Sequence, residues 1–239
     1  MNIIEKRYNA IDFLRGFTII NMIIFHSLFD LENFYGFDFS YNFYYYQQFI
    51  CISFILISGY CTNFSNNFKK KTLILTSISL LITTGSYIFS KENTVYFGVI
   101  HFFALVTLIH NLLKNFIKKI NPKLGLIFNS LLFLVTKNIY QRNILFGKIV
   151  LPKSIYDLNL FIFGFPNENF SSGDYFPIIP WIFLFYIGYF LYNFVKFTKK
   201  EASHNIVNIM GRHSLLLYSL HQIFLIGTFS LIFWIRFVH

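Results

Sequence analysis

Apolar residues along this chain come in long runs, broken at intervals by short clusters rich in Lys, Asn and Gly. In hydrocarbon a backbone must satisfy its own polar groups, so runs of this length predict helices that cross a membrane. The pattern predicts seven of them, over about 10–32, 44–64, 72–90, 95–113, 124–137, 175–195 and 213–236, with the fifth the shortest. The fold class is then all-α, a polytopic transmembrane helical bundle, with residues 1–239 forming a single transmembrane domain. Composition agrees: 55% of residues are hydrophobic, 22% aromatic and only 13% charged, which excludes an ordinary soluble domain.

The first run, IDFLRGFTIINMIIFHSLFDLE, breaks its own pattern with Asp12, Arg15, His26 and Asp30. At about 100° per helical residue, Arg15 and His26 lie about 20° apart, and both aspartates about 60° from Arg15, so all four share one face. The helical rise separates Arg15 from His26 by roughly 16 Å, about half of a ~30 Å hydrocarbon core. One such group could be a snorkelling arginine or a neutral histidine bonded to a neighbour. Four on one face point to a site, because ionisable groups inside a membrane are costly and turn toward protein or water.

Charge orients the bundle. Thirteen Lys and Arg residues fall at the N-terminus or in alternate connections (around 69–71, 114–123 and 196–212), against six on the other side, which also holds most carboxylates. The positive-inside rule puts the basic side, and the N-terminus, in the cytoplasm. The net charge of +10 is thereby accounted for without a nucleic-acid partner. The first run lacks a small-residue cleavage site and reads as a retained span. Cys51 and Cys61 lie roughly 15 Å apart along one helix, too far to bridge. The connection between Lys137 and Asp174 carries the apolar patch DLNLFIFGF, either a re-entrant or interfacial segment over the outer mouth or an aromatic anchor. No repeat of the transporter kind is evident.

Other spans carry groups that can meet the first helix. His101 lies one to two turns below the outer surface and, by depth, reaches the level of His26; His110 sits near the inner end beside Lys114 as an interfacial histidine. Asp174 and Tyr175 precede Pro177 and Pro180, and Asp174 is either a helix cap or a substrate contact. The last span opens GRHSLLLYSLHQ, where Gly211, Arg212, His213 and Ser214 at a helix N-terminus form a candidate phosphate seat. Ser214, Tyr218 and His221 continue as a polar stripe, with His221 about 13 Å along the axis from Arg212. Three imidazoles, His26, His101 and His221, could converge, yet nothing in the spacing requires a metal, and none is expected.

These motifs resemble the bacterial members of the heparan-alpha-glucosaminide N-acetyltransferase catalytic-domain family. The resemblance rests on IDFLRGFTIINMIIFHSLFDL at 11–31, FILISGYC at 54–61, YFGVIHFFAL at 96–105, DYFPIIPWIFLFYIGY at 174–189 and GRHSLLLYSLHQ at 211–222, and covers nearly the whole chain. An Arg-Gly followed by a His ten residues later is also similar to the larger acyltransferase-3 superfamily, whose activity-bearing Arg and His match Arg15 and His26. The resemblance implies transfer of an acyl group, usually acetyl, from cytoplasmic acetyl-CoA or another acyl-CoA to a sugar or glycan on the far side. The lysosomal enzyme that gives the family its name places its catalytic histidine just beyond the first span, so glucosamine specificity does not carry over.

The working expectation is an integral protein of a bacterial or archaeal inner membrane. Arg15, Arg212, His213 and Ser214 hold the acyl-CoA. His26 acts as general base or acyl carrier, with Asp30, His101 and His221 beside it, and Asp12, Asp174, Tyr175 and Tyr218 contact the acceptor. Its partners are the lipid bilayer, acyl-CoA and the acceptor, and the chain is compatible with a homo-oligomer. The rival reading is a transporter or flippase whose intramembrane His, Asp and Arg groups form a proton or headgroup path.

Overall fold

A computed structural model describes residues 6–39 and 42–238, with side chains through Phe233. Arg236, one of the six Lys and Arg residues on the less basic side, has its side chain outside the described set. Among the described residues there are nine α-helices: α1 (Asn9–Tyr35), α2 (Tyr44–Cys61), α3 (Phe68–Phe89), α4 (Val99–Ile117), α5 (Pro122–Thr136), α6 (Lys153–Asp157), α7 (Ile178–Leu191), α8 (Ile206–Arg212) and α9 (Ser214–Val238).

All seven apolar runs are helical, but they differ in reach. α1, α3, α4 and α9 are long and apolar enough to cross a membrane. α5 has 15 residues, and α7 has 14, of which Ile179 is non-helical (φ −95°, ψ 127°). At ~1.5 Å per residue each reaches roughly 20 Å, well short of a ~30 Å core. The sixth run shortens because Tyr175–Pro177 is extended rather than helical: Phe97 and Tyr175 form a parallel bridge, and Phe176 N–H donates to the Phe97 carbonyl at 2.8 Å. An integral membrane protein built of helices follows from the four long apolar ones.

Contacts divide the chain into two compact units, residues 1–57 with 196–239, and residues 58–195. In the first, α1 packs along α8 and α9, and Ile19, Met22, Phe25 and Ile50 form a core surrounded by Phe43, Tyr46, Phe54, Met210 and Leu217. α8 lies against the start of α1 with backbones touching, since a Cβ on Gly16 would overlap the Val207 carbonyl and one on Gly211 the Asp12 carbonyl. Small residues at such a crossing let dispersion and polar contacts act at close range. Asn9 fastens the same corner: its Nδ2 donates to the Glu201 carbonyl at 2.7 Å, its Oδ1 accepts from Ser203 N–H at 3.1 Å, and its carbonyl accepts from buried Asn208 at 2.7 Å.

In the second unit α3 pairs with α4 and α5 with α7. Gly59 and Gly125 admit the Phe185 carbonyl and the Phe190 ring respectively, where a Cβ would collide. The long connection after α5 is folded: a small hairpin (143–144 with 149–150), then α6, then the helical turn Phe161–Phe163. The patch DLNLFIFGF thus makes a three-residue turn ended by Gly164 at φ 104°, a left-handed conformation that favours glycine. Tyr156 Oη donates to the Ile139 carbonyl and Tyr175 Oη to the Phe161 carbonyl at 2.6 Å, tying the connection to its neighbours. Lys153 and Glu168 form an exposed ion pair at 2.8 Å, which lowers the carboxyl pKa and raises that of the ammonium.

Candidate active site

α1 carries both halves of the site. At its start, Asp12 is 4% exposed and accepts from Arg7 Nε at 3.0 Å, with Arg15 Nη1 at a looser 3.9 Å. Among the described residues this is the one ion pair Arg15 makes, and its side chain stays about a third exposed, at 32%. A guanidinium has five donors in a planar fork, so most of Arg15's hydrogen-bonding capacity is not used by Asp12. Asp12 itself is engaged by two arginines and buried, which suits it to holding them in place.

The residues Gly211, Arg212 and His213 differ locally from the sequence expectation. They do not open the last helix with free N–H groups: Ile206–Arg212 is already helical, His213 is its C-terminal cap, and His213 N–H bonds back to the Ile209 carbonyl at 3.2 Å. The glycine serves the crossing with α1 described above. Arg212 donates through Nη1 to the Ser203 carbonyl at 2.8 Å. His213 is exposed, and Ser214, half-buried, begins α9.

Three turns beyond Arg15, two of the three expected imidazoles meet. The His26 and His221 rings face each other with centroids 4.7 Å apart and planes tilted by 54°; Phe25 packs edge-on against His26 at 5.3 Å, and Tyr218 lies 5.5 Å from His221. His221 Nδ1 sits 2.6 Å from the Tyr218 carbonyl. A carbonyl can only accept, so Nδ1 bears the proton, and Nε2 of the neutral ring carries a lone pair. That Nε2 is buried with no hydrogen-bond partner.

One turn further along α1, Asp30 is fully buried at 0% exposure. Its partner is Gln222, whose Nε2 is 2.9 Å from both carboxylate oxygens. Sequence reasoning missed Gln222; the signal was a lone amide inside the run YSLHQIFLI, opposite an aspartate on the facing helix. Tyr218, an expected acceptor contact, packs against Phe54 at 6.1 Å and supplies the carbonyl that fixes His221.

His101, Asp174 and Tyr175 belong to the second unit, where they build the start of α4. His101 Nδ1 accepts from Gly98 N–H at 3.2 Å, so Nε2 donates to Thr83 Oγ1 at 2.9 Å, and Thr83 passes its own proton to the Val95 carbonyl at 2.7 Å. Both ring nitrogens are therefore occupied. Asp174 Oδ2 accepts from Val99 N–H at 3.1 Å; it caps α4 rather than the helix that follows it, from 75 residues away. Gly98 permits this approach, because a Cβ there would collide with the carboxylate. His110 is buried among Phe68, Phe185, Tyr186 and Tyr189. Among the described residues no group of three or more His, Cys, Asp or Glu side chains could hold a metal ion.

The model of the family described as "Heparan-alpha-glucosaminide N-acetyltransferase, catalytic" matches residues 7–223. No curated protein and no solved structure matches.

Proposed function

The chain belongs to the heparan-alpha-glucosaminide N-acetyltransferase catalytic family, and from that premise we propose that it moves an acetyl group from cytoplasmic acetyl-CoA to a sugar or glycan acceptor outside. The match runs through both units, which supports treating residues 1–239 as one catalytic domain. The observation that carries the mechanism is the His26–His221 pair, with the second ring's tautomer held by the Tyr218 carbonyl.

In this reading Arg15 and Arg212 hold the phosphates of the donor at the cytoplasmic end of α1, Arg15 with the donors Asp12 does not use. His213 and Ser214, at the α8–α9 junction, border the same end. The acceptor's nitrogen or oxygen attacks the thioester carbonyl carbon while an imidazole of the pair takes its proton. The carbon–sulfur bond breaks, and the departing thiolate of CoA receives a proton from the imidazolium, so the products are the acetylated acceptor and CoA thiol. A positioned base contributes typically ~10²–10⁴ in rate. His26 is the base or, in a variant of the same scheme, the acyl carrier. His101, with both nitrogens engaged, fits a role in holding the α4 start, and Asp174 likewise.

The test is acceptor-dependent release of CoA thiol. Purified protein in nanodiscs, given acetyl-CoA and a panel of amino sugars and neutral sugars, is expected to release thiol in step with acetylated product. Transport of a sugar or lipid across proteoliposomes without thiol release would instead support the flippase reading.

A further inference from the structure

Gln222 has no place in the scheme above, yet its amide is tied to Asp30 beside the imidazole pair. Its Nε2 lies 2.9 Å from each Asp30 oxygen; both oxygens of an ionised Asp30 accept, and against that carboxylate a turned-over amide would set oxygen against oxygen. The carbonyl Oε1 is therefore held facing away from Asp30, and it is buried with no hydrogen-bond partner. The preceding residue presents a second such atom, His221 Nε2. Both residues meet one face of α1, His221 at His26 and Gln222 at Asp30 one turn on.

Buried acceptors without donors are costly, and natural interiors rarely keep them without a reason. An ordinary structural tie between helices would satisfy both ends of the amide. Here one end is spent on fixing the orientation of the other.

Resting on the transferase reading for the nature of the ligand, we infer that Gln222 is a binding residue for the acyl acceptor, its Asp30-oriented Oε1 accepting a hydrogen bond from a hydroxyl or amine of the sugar next to the group that reacts at the imidazole pair. Two unpartnered acceptors on consecutive residues of α9 complement a ligand that offers donors, a polyol or an amino sugar. They disfavour carboxylates and phosphates, which would bring more acceptors. Discrimination against an analogue lacking one donor follows, because the site's carbonyl would be left unpaired.

The experiment measures sugar binding to the full chain in nanodiscs without acetyl-CoA, by calorimetry, for wild type and Gln222→Met, with glucosamine, glucose, 2-deoxyglucose and 3-deoxyglucose as probes. Wild type is expected to bind glucosamine or glucose, and Gln222→Met to bind them about tenfold more weakly, the scale of one hydrogen bond. One deoxy sugar should bind both proteins alike, because deleting either partner of one contact removes the same interaction. A folded Gln222→Met protein that binds all four sugars like wild type, or a wild type that binds none, overturns the inference. Loss by one common factor for every probe also overturns it, since that reports pocket shape. If Gln222→Met does not fold, Asp30→Asn with Gln222→Glu reverses the tie while still offering an oxygen. That double variant should keep the wild-type ranking of the four sugars, and a changed ranking sinks the proposal. Thiol release from acetyl-CoA is read separately, so Gln222-dependent sugar binding with no thiol release fails the transferase reading alone, and normal turnover by Gln222→Met fails this inference alone.

Discussion

His26 is the residue to which the proposed chemistry is given, and its neighbour at 4.7 Å is another imidazole. His26→Ala should abolish transfer, by 10²-fold or more on the scale of ~10²–10⁴ for a positioned base, while leaving acetyl-CoA binding and thermal stability near wild type. His26→Gln keeps hydrogen bonding but cannot carry a proton at neutral pH, so it should be nearly as inactive. A purely packing histidine gives the opposite order, with Gln active and Ala lost through poor folding; measuring stability, donor binding and transfer on both variants separates the cases. The donor end has its own readout. Arg15→Gln and Arg212→Gln should each weaken CoA binding, most at low salt, because part of the contact is electrostatic and screened; unchanged affinity in both would show the donor seat to be elsewhere. At this scale the sequence was informative where a polar group interrupts an apolar run, as at Asp12, Arg15, His26, Asp30 and His221. It was silent where a main-chain atom does the work: no pattern announces that the Tyr218 carbonyl sets the His221 tautomer, and Gln222 acquires its meaning only from Asp30 on another helix.

Helices were legible because their apolar runs are long, and their ends were not, because ends depend on partners remote in sequence. The α4 start illustrates this. Gly98 has no side chain to cap the helix, and the acceptor at Val99 N–H is Asp174, which sequence reasoning sets at the start of the following span. Asp174→Ala should therefore destabilise the protein by about 1 kcal/mol, the usual cost of losing a cap. Asp174→Asn should recover most of that in a thermal melt and retain transfer activity; an Asn variant that is stable but inactive would assign the carboxylate to substrate instead. Likewise Gly211, read as part of a phosphate seat, lies where α8 crosses α1. Gly16→Ala and Gly211→Ala each force a methyl group into a backbone carbonyl, and overpacking of this kind costs about 1–3 kcal/mol. Both should lower the melting temperature, and a neutral result at either position would mean that the crossing relaxes freely.

For the molecule as a whole, the mechanism needs a direction: donor phosphates at the start of α1 and an acceptor from the opposite side. From the asymmetry of Lys and Arg, the connection before α3 and the start of that helix, with Lys69, Lys70 and Lys71, are expected on the cytoplasmic side, and the folded connection after α5 on the outside. Asn66 and Asn169 are both exposed on those connections, so each is a fair place for a reporter. After removal of Cys51 and Cys61, Asn169→Cys in intact cells should react with a membrane-impermeant maleimide, while Asn66→Cys should react only after the membrane is permeabilised. The reverse labelling pattern would put the donor seat on the acceptor's side, where cytoplasmic acetyl-CoA does not reach it, and the proposed transfer across the membrane would lose its geometry. Labelling of both sites from outside would mean that an odd number of crossings does not separate them, a result that bears directly on α5. That helix spans roughly 20 Å at ~1.5 Å per residue and lies between Asn66 and Asn169 along with the longer α3 and α4. Two full crossings by α3 and α4 return the chain to the side it left, so opposite labelling requires α5 to carry it through, by local thinning of the bilayer around a short helix.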